Sequence, residues 1–147
     1  MIGLVNHWSA LAVAAVFVWL GMVFAISFLE APLKFRAPGV TIQLGLGVGR
    51  LVFRALNSCE AALAAVGLLA VALGRAPTGA IVALLVAVLA LGAQVVGVRP
   101  ALTRRSDAVL ADAAAAESGR SRAHFLYVGL EGLKVVALLT SGVLLLD

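Results

Sequence analysis

The sequence predicts an all-α integral membrane fold. We read a single domain over residues 1–147, a four-transmembrane-helix bundle. An irregular or interfacial segment is expected between helices 1 and 2, and a short cytosolic amphipathic helix between helices 3 and 4. Three observations carry this expectation. The 147 residues are 63% hydrophobic and 12% charged, with a mean hydropathy of +1.14, whereas soluble domains are about half apolar and a quarter charged. The apolar residues fall in four runs of roughly 20, the length that crosses a bilayer core as helix. These runs are continuous stretches of Ala, Val and Leu, without the period-2 alternation of a transmembrane β-barrel.

The first span is placed at Trp8 to Leu29. The preceding MIGLVNH has no basic n-region and no small-residue cleavage site, so the segment reads as a retained helix and not a removed signal peptide. Ala31-Pro32 is expected to break this helix, and Ala37-Pro38-Gly39 to make a turn. The following VTIQLGLGVGRLVFRALN is apolar but glycine-dotted. It can lie in the interface, re-enter the bilayer, or extend the second span, whose apolar run is Phe53 to Gly74. Extension is favoured because Arg50, Arg54 and Asn57 then share one helical face. Gly45 and Gly49 form a GxxxG pair on the same element, a spacing that lets helices approach closely. Gly45-Leu-Gly-Val-Gly49 matches neither GxGxxG nor a P-loop, and no strand precedes it.

Arg75-Ala-Pro-Thr-Gly79 reads as the tight turn between spans two and three. The third span is Gly79 to Val98, with Arg99-Pro100 expected to end it. In ALTRRSDAVLADAAAAESGRSRA, Leu102, Val109, Leu110 and Ala113 recur at helical spacing, which predicts the short surface helix, ended by Ser118-Gly119. The fourth span is Ala123 to Leu146. The single cysteine, Cys59, excludes an internal disulfide and reads as a small packing residue.

The net charge of +4 does not point to nucleic acid, and no nucleic-acid-binding motif is present. Basic residues flank the spans instead, as topology signals and anionic lipid head groups require. Lys34, Arg36, Arg50 and Arg54 lie between spans one and two; Arg99, Arg104, Arg105, Arg120 and Arg122 lie between three and four; the intervening turn holds only Arg75. The expected location is therefore multi-pass in a membrane, both long connections in the cytoplasm and both termini outside it.

Polar groups within the spans are the candidate site. His124, Tyr127, Glu131 and Lys134 fall on one stripe of the last helix about 80° wide at 100° per residue. An ionisable residue in a membrane span needs a partner and is a functional-site candidate. By depth, Glu60 and Glu131 lie about 10–12 Å inside the cytoplasmic boundary and Lys134 about 16 Å. Glu30 ends the first span, with Arg50 and Arg54 at the mouth. These eight residues, Glu30, Arg50, Arg54, Glu60, His124, Tyr127, Glu131 and Lys134, outline a polar pocket facing the cytoplasm. The outer halves of the spans are almost wholly apolar, interrupted by Thr140 and Ser141, so a through-pore is not expected.

Four readings of the cluster compete. It can be structural, an ion pair of Lys134 with Glu131 or Glu60 that fixes helix register. It can bind or transport a small anionic or amphipathic, lipid-like molecule, the cation at depth and the arginines at the mouth holding an anionic head group. A di-metal site is disfavoured because no Glu-x-x-His occurs. Bis-histidine haem ligation fails because His7 and His124 lie at opposite ends, so no metal or cofactor is expected. General acid–base chemistry by Tyr127, Glu131 and Lys134 ranks behind binding, since no nucleophile motif accompanies them. The expectation carried forward is the binding or transport reading. Its alternative is an accessory or assembly subunit of a membrane complex, with structural buried charges. The partners foreseen are membrane lipids and a second copy or partner membrane subunit.

Three segments, FLEAPLKFRAPG at 28–39, GRLVFRALNSCE at 49–60 and SRAHFLYVGLEGLKVVAL at 121–138, together resemble small bacterial four-span proteins without an established function. A eukaryotic four-span family implicated in metal-drug tolerance is similar to a lesser degree. The resemblance implies the four-helix layout and, with the compact length, the inner (plasma) membrane of a bacterium, and no activity.

Overall fold

In the computed structural model, described for residues 2–112 and 122–147 with side chains from His7 onward, the described residues are 90% helical and hold no strand. Four continuous helical stretches are long and apolar enough to cross a membrane: His7–Arg36, Ile42–Leu73, Thr78–Ala111 and Arg122–Leu144. We call them the first to fourth helices. The first packs against the second and the fourth, the third against the fourth and, less extensively, the second. Each helix thus neighbours the next in the chain, and the last closes on the first, as short connections favour.

The core is a seam of small and branched side chains with one large one, Trp19, among Ala12, Val16, Val23, Ala64, Ala70, Leu84, Ala87 and Leu138. Alanines on facing positions let the helix axes come close, which is how apolar helices gain packing energy where no water is expelled. Gly142 serves the same end. A Cβ there would stand 2.8 Å from the Phe17 ring, so the fourth helix lies directly on that aromatic.

The two X-Pro motifs do not break their helices as the sequence suggests. The first helix is α-helical over Ile2–Val23 and π-helical over Phe24–Glu30. It goes on through Ala31–Leu33 to a 3₁₀ turn at Lys34–Arg36. The third helix is α-helical over Thr78–Ala93, π-helical over Gln94–Val98, and α-helical again over Arg99–Ala111. In each case the residue before the proline donates five residues back, Ala31 to the carbonyl of Ile26 and Arg99 to that of Gln94. Proline in an α-helix interior clashes with the carbonyl four residues back and cannot bond to it. Resetting the register with a π turn places Pro32 and Pro100 in the first turn of a fresh α segment, where no N–H is needed. The surface helix expected between spans three and four is therefore the continuation of the third helix up to Ala111. Its proposed end at Ser118-Gly119, with Ala113 and Arg120, lies outside the described residues.

The second helix starts at Ile42, well before the apolar run at Phe53, and at 32 residues it is about 48 Å long, longer than a bilayer core. Thr41 caps it, the hydroxyl accepting from the Leu44 amide at 3.1 Å. The GxxxG pair receives the end of the first helix. A Cβ on Gly45 would overlap the Phe35 ring, and one on Gly49 would come within 2.8 Å of Lys34 Nζ. At its far end the helix closes with Gly74 and then Arg75 in the left-handed region (φ 55°), while the Ala76 amide reaches back to the Val71 carbonyl. This is a Schellman-type stop that more often uses glycine.

Candidate functional site

Three charged residues of the helices, Glu60, Glu131 and Lys134, meet inside the bundle. Lys134, Glu60 and Gln94 are fully buried, and Glu131 is 1% exposed. Lys134 Nζ donates to Glu60 Oε1 and to Gln94 Oε1 at 2.7 Å, and it forms an ion pair with Glu131 Oε1 at 3.0 Å. Gln94 bridges the two sides: its oxygen accepts from Lys134, and its nitrogen donates to Glu131 Oε1 at 2.8 Å and to the Tyr127 carbonyl at 3.4 Å. From the first helix, the Trp19 indole donates to Glu60 Oε1 at 2.8 Å. In the orientation that satisfies both ends of its amide, Asn57 donates to Glu60 Oε2 at 3.1 Å and accepts from Arg99.

Every helix contributes, and each contribution has a local cause. Glu131 and Lys134 face the same way because three residues make most of a helical turn. Asn57 and Glu60 do the same on the second helix. Gln94 opens the π stretch of the third helix, whose wider turn re-aims the side chains around it. A charge stranded in apolar surroundings is costly, so burial of the ions demands this mutual satisfaction. Two described polar atoms of the stripe remain without a partner, Glu131 Oε2 and the Tyr127 hydroxyl. The Tyr127 ring stands edge-on to Phe53 at 5.7 Å.

The expected open pocket is therefore filled by its own side chains. The open space lies next to it. A cleft of about 460 Å³ between the second and third helices is lined by Arg50, Arg54, Arg99 and Arg104 with Val95, Pro100 and Thr103. None of these lining residues is acidic. Arg50 is braced at its edge, one guanidinium nitrogen bonded to Ser106 Oγ and Asp107 Oδ1, each at 2.7 Å. Arg54 and Arg104 are exposed. Arg99 belongs to both places, since it lines the cleft and also holds Asn57.

Of the eight candidates, the structure brings Glu60, Glu131 and Lys134 together in the core, with the Tyr127 carbonyl tied to them through Gln94. Arg50 and Arg54 are brought to the cleft. Glu30 does not join them. It pairs with Lys34 one turn on at 3.3 Å, and that ammonium also faces the rings of Phe35 and Phe53 at 5.6 and 5.5 Å. His124 sits at the start of the fourth helix, edge-on to Phe125 at 6.0 Å. Trp19, Asn57, Gln94, Arg99 and Arg104 were not among the candidates. For Arg99 and Arg104 the signal was available: with the helix continued past Pro100, both fall toward Arg50 and Arg54. The two hydroxyls near the end of the fourth helix are used differently. Thr140 bonds back to its own helix at Val136, but Ser141 crosses to the Ala80 carbonyl of the third helix at 2.9 Å.

The fold and site define a small helical bundle with a closed charged core and a basic cleft beside it. Against known families, curated proteins and solved structures the chain finds no match.

Proposed function

We propose that this is a multi-pass membrane protein whose arginine cleft binds the anionic head group of an amphipathic molecule, for holding or transfer at the membrane surface. The observation that supports the reading is the cleft itself: four arginines line one open volume that no carboxylate lines among the described residues. Guanidinium forks match the oxygens of phosphate and carboxylate bidentately. Val95 at the cleft and the exposed Leu51 and Val96 beside it offer an apolar path for a tail along the seam of the second and third helices. In this reading the basic end faces the cytoplasm of a bacterium, the membrane is its inner one, and both termini lie outside.

The alternative, an accessory or assembly subunit of a membrane complex, draws on a different observation. The buried charges use up nearly all of one another's hydrogen bonds, as a purely structural lock would. One experiment addresses both readings. Native mass spectrometry from mild detergent should show an anionic lipid or other anionic molecule retained by the wild type. Arg54→Gln with Arg104→Gln should weaken that retention at least about tenfold, since each charge-assisted hydrogen bond is worth about 1.5–3 kcal/mol. Equal retention in a double variant that stays monodisperse excludes the cleft as the site. A stoichiometric partner protein in place of a small molecule supports the subunit reading.

A further inference from the structure

The formal charges in and around the arginine cleft leave a surplus on one side. In the core, two acids, Glu60 and Glu131, face two cations, Lys134 directly and Arg99 through Asn57. At the edge of the cleft, Arg50 donates to Asp107 at 2.7 Å, and its charge is matched there. Arg54 and Arg104 are left. Both line the cleft, both are exposed, and neither enters an ion pair among the described residues. The open volume of about 460 Å³ is therefore bordered by two unmatched positive charges, one on each helix that forms it. Local geometry puts them there. Arg50 and Arg54 stand one turn apart on the second helix, as do Arg99 and Thr103 on the third, and Arg104 follows at the next position.

We propose that the cleft selects a phosphate monoester, whose dianion matches this surplus, over the monoanionic and zwitterionic diesters of ordinary phospholipids. The inference rests on the reading of the cleft as a head-group site and narrows it to one chemical class. A monoester carries close to two negative charges at neutral pH and three strong acceptor oxygens. Arg54 and Arg104 supply the two charges, and the guanidinium of Arg99 and the hydroxyl of Thr103 are further donors on the same lining. A diester keeps a single charge and two terminal oxygens, so it leaves one guanidinium unmatched. A zwitterionic diester also brings an ammonium, which would stand among arginines with no lining carboxylate among the described residues to receive it. Asp107, at the edge, is already engaged by Arg50. The same monoester chemistry is offered by a lipid head group and by a soluble phosphate.

The test is native mass spectrometry of the full chain in mild detergent, titrated with three lipids of identical acyl chains: phosphatidate, phosphatidylglycerol and phosphatidylethanolamine. At pH 8 phosphatidate should bind at least about tenfold more tightly than phosphatidylglycerol, the effect of one more charge-assisted contact. At pH 5 the two should bind about equally, since a monoester takes up its second proton at about pH 6 while arginine stays charged. Asp107→Asn keeps an acceptor for Arg50 but removes its counter-charge, so it should tighten phosphatidate binding by about threefold, a gain that misfolding cannot produce. Phosphatidylglycerol bound as tightly as phosphatidate at pH 8, a preference that persists at pH 5, or an Asp107→Asn variant with no gain overturns the monoester proposal and leaves the head-group reading standing. Equal binding of all three lipids defeats both. Glycerol phosphate added as competitor separates the two sources of the group, and both results support the monoester. Displacement of phosphatidate at equal concentration identifies a soluble phosphate as the occupant, and displacement only at large excess identifies a lipid.

Discussion

Lys134 is the residue on which the interior depends, because a buried ammonium can be satisfied only by acceptors brought to it. Losing one side of a buried ion pair strands the other, typically at a cost of about 3–5 kcal/mol. Lys134→Met should therefore lower the melting temperature in detergent markedly, since it leaves Glu60 charged and short of a donor. Adding Glu60→Gln to that variant should restore part of the loss, because the stranded charge is gone. A double variant no more stable than Lys134→Met, read by the loss of helical circular dichroism on heating, would mean that Glu60 is not the partner that matters. At this scale the sequence was half legible. Lys134, Glu131 and Glu60 announced themselves because an ion in an apolar run has no explanation except a partner. Trp19, Gln94 and Asn57 gave no such signal. Neutral polar groups are tolerated in a span at little cost, so nothing in the chain marks them as the partners until the helices are assembled.

At the scale of an element, the second helix shows how glycine position decides packing. Gly45 and Gly47 lie two residues apart and face differently. A Cβ at Gly45 meets the Phe35 ring, and one at Gly47 meets nothing within 4 Å. Gly45→Ala should destabilise the protein by about 1–3 kcal/mol as the ring is forced aside. Gly47→Ala should be neutral or stabilising by up to about 1 kcal/mol, the helix propensity difference. Thermal melts that rank the two variants in the opposite order would show that the end of the first helix does not seat on Gly45. The GxxxG spacing was visible in the sequence, but its partner was not. The close neighbour is the tail of the first helix, which the reading of Ala31-Pro32 as a break had placed in a loop. That break was misread because a π turn has no sequence signature, and Pro after an apolar run looks the same whether the helix ends or resets its register.

For the molecule as a whole, four apolar helices of bilayer length followed from hydropathy alone, since the length of a bilayer-crossing segment is set by the bilayer and not by packing, whereas the first three run well past their apolar stretches, to Arg36, from Ile42 and to Ala111. The order of the helices around the bundle and the closure of the polar cluster did not follow, because both depend on which faces meet. The orientation proposed above makes a plain prediction. A reporter active only in the cytoplasm should work when inserted after Asp112 and be silent when fused after Asp147. Activity at Asp147 would reverse the orientation, placing the arginine cleft on the far side of the membrane.

The four-way sharing of the charged core has a consequence for how the protein is made. Chains are synthesised from the N-terminus, and their early segments begin to fold first. Glu60, on the second helix, is complete long before its counter-ion, Lys134, leaves the ribosome. Until the fourth helix arrives, the second must enter the bilayer with its carboxyl neutral or near the head groups, and the first three helices offer Glu60 no cation nearer than Arg99, which reaches it only through Asn57. Assembly is therefore gated by the final segment. A nascent chain stopped before Arg122 holds an acidic residue with no ammonium to receive it, which is the kind of defect that membrane quality control can distinguish from a finished bundle.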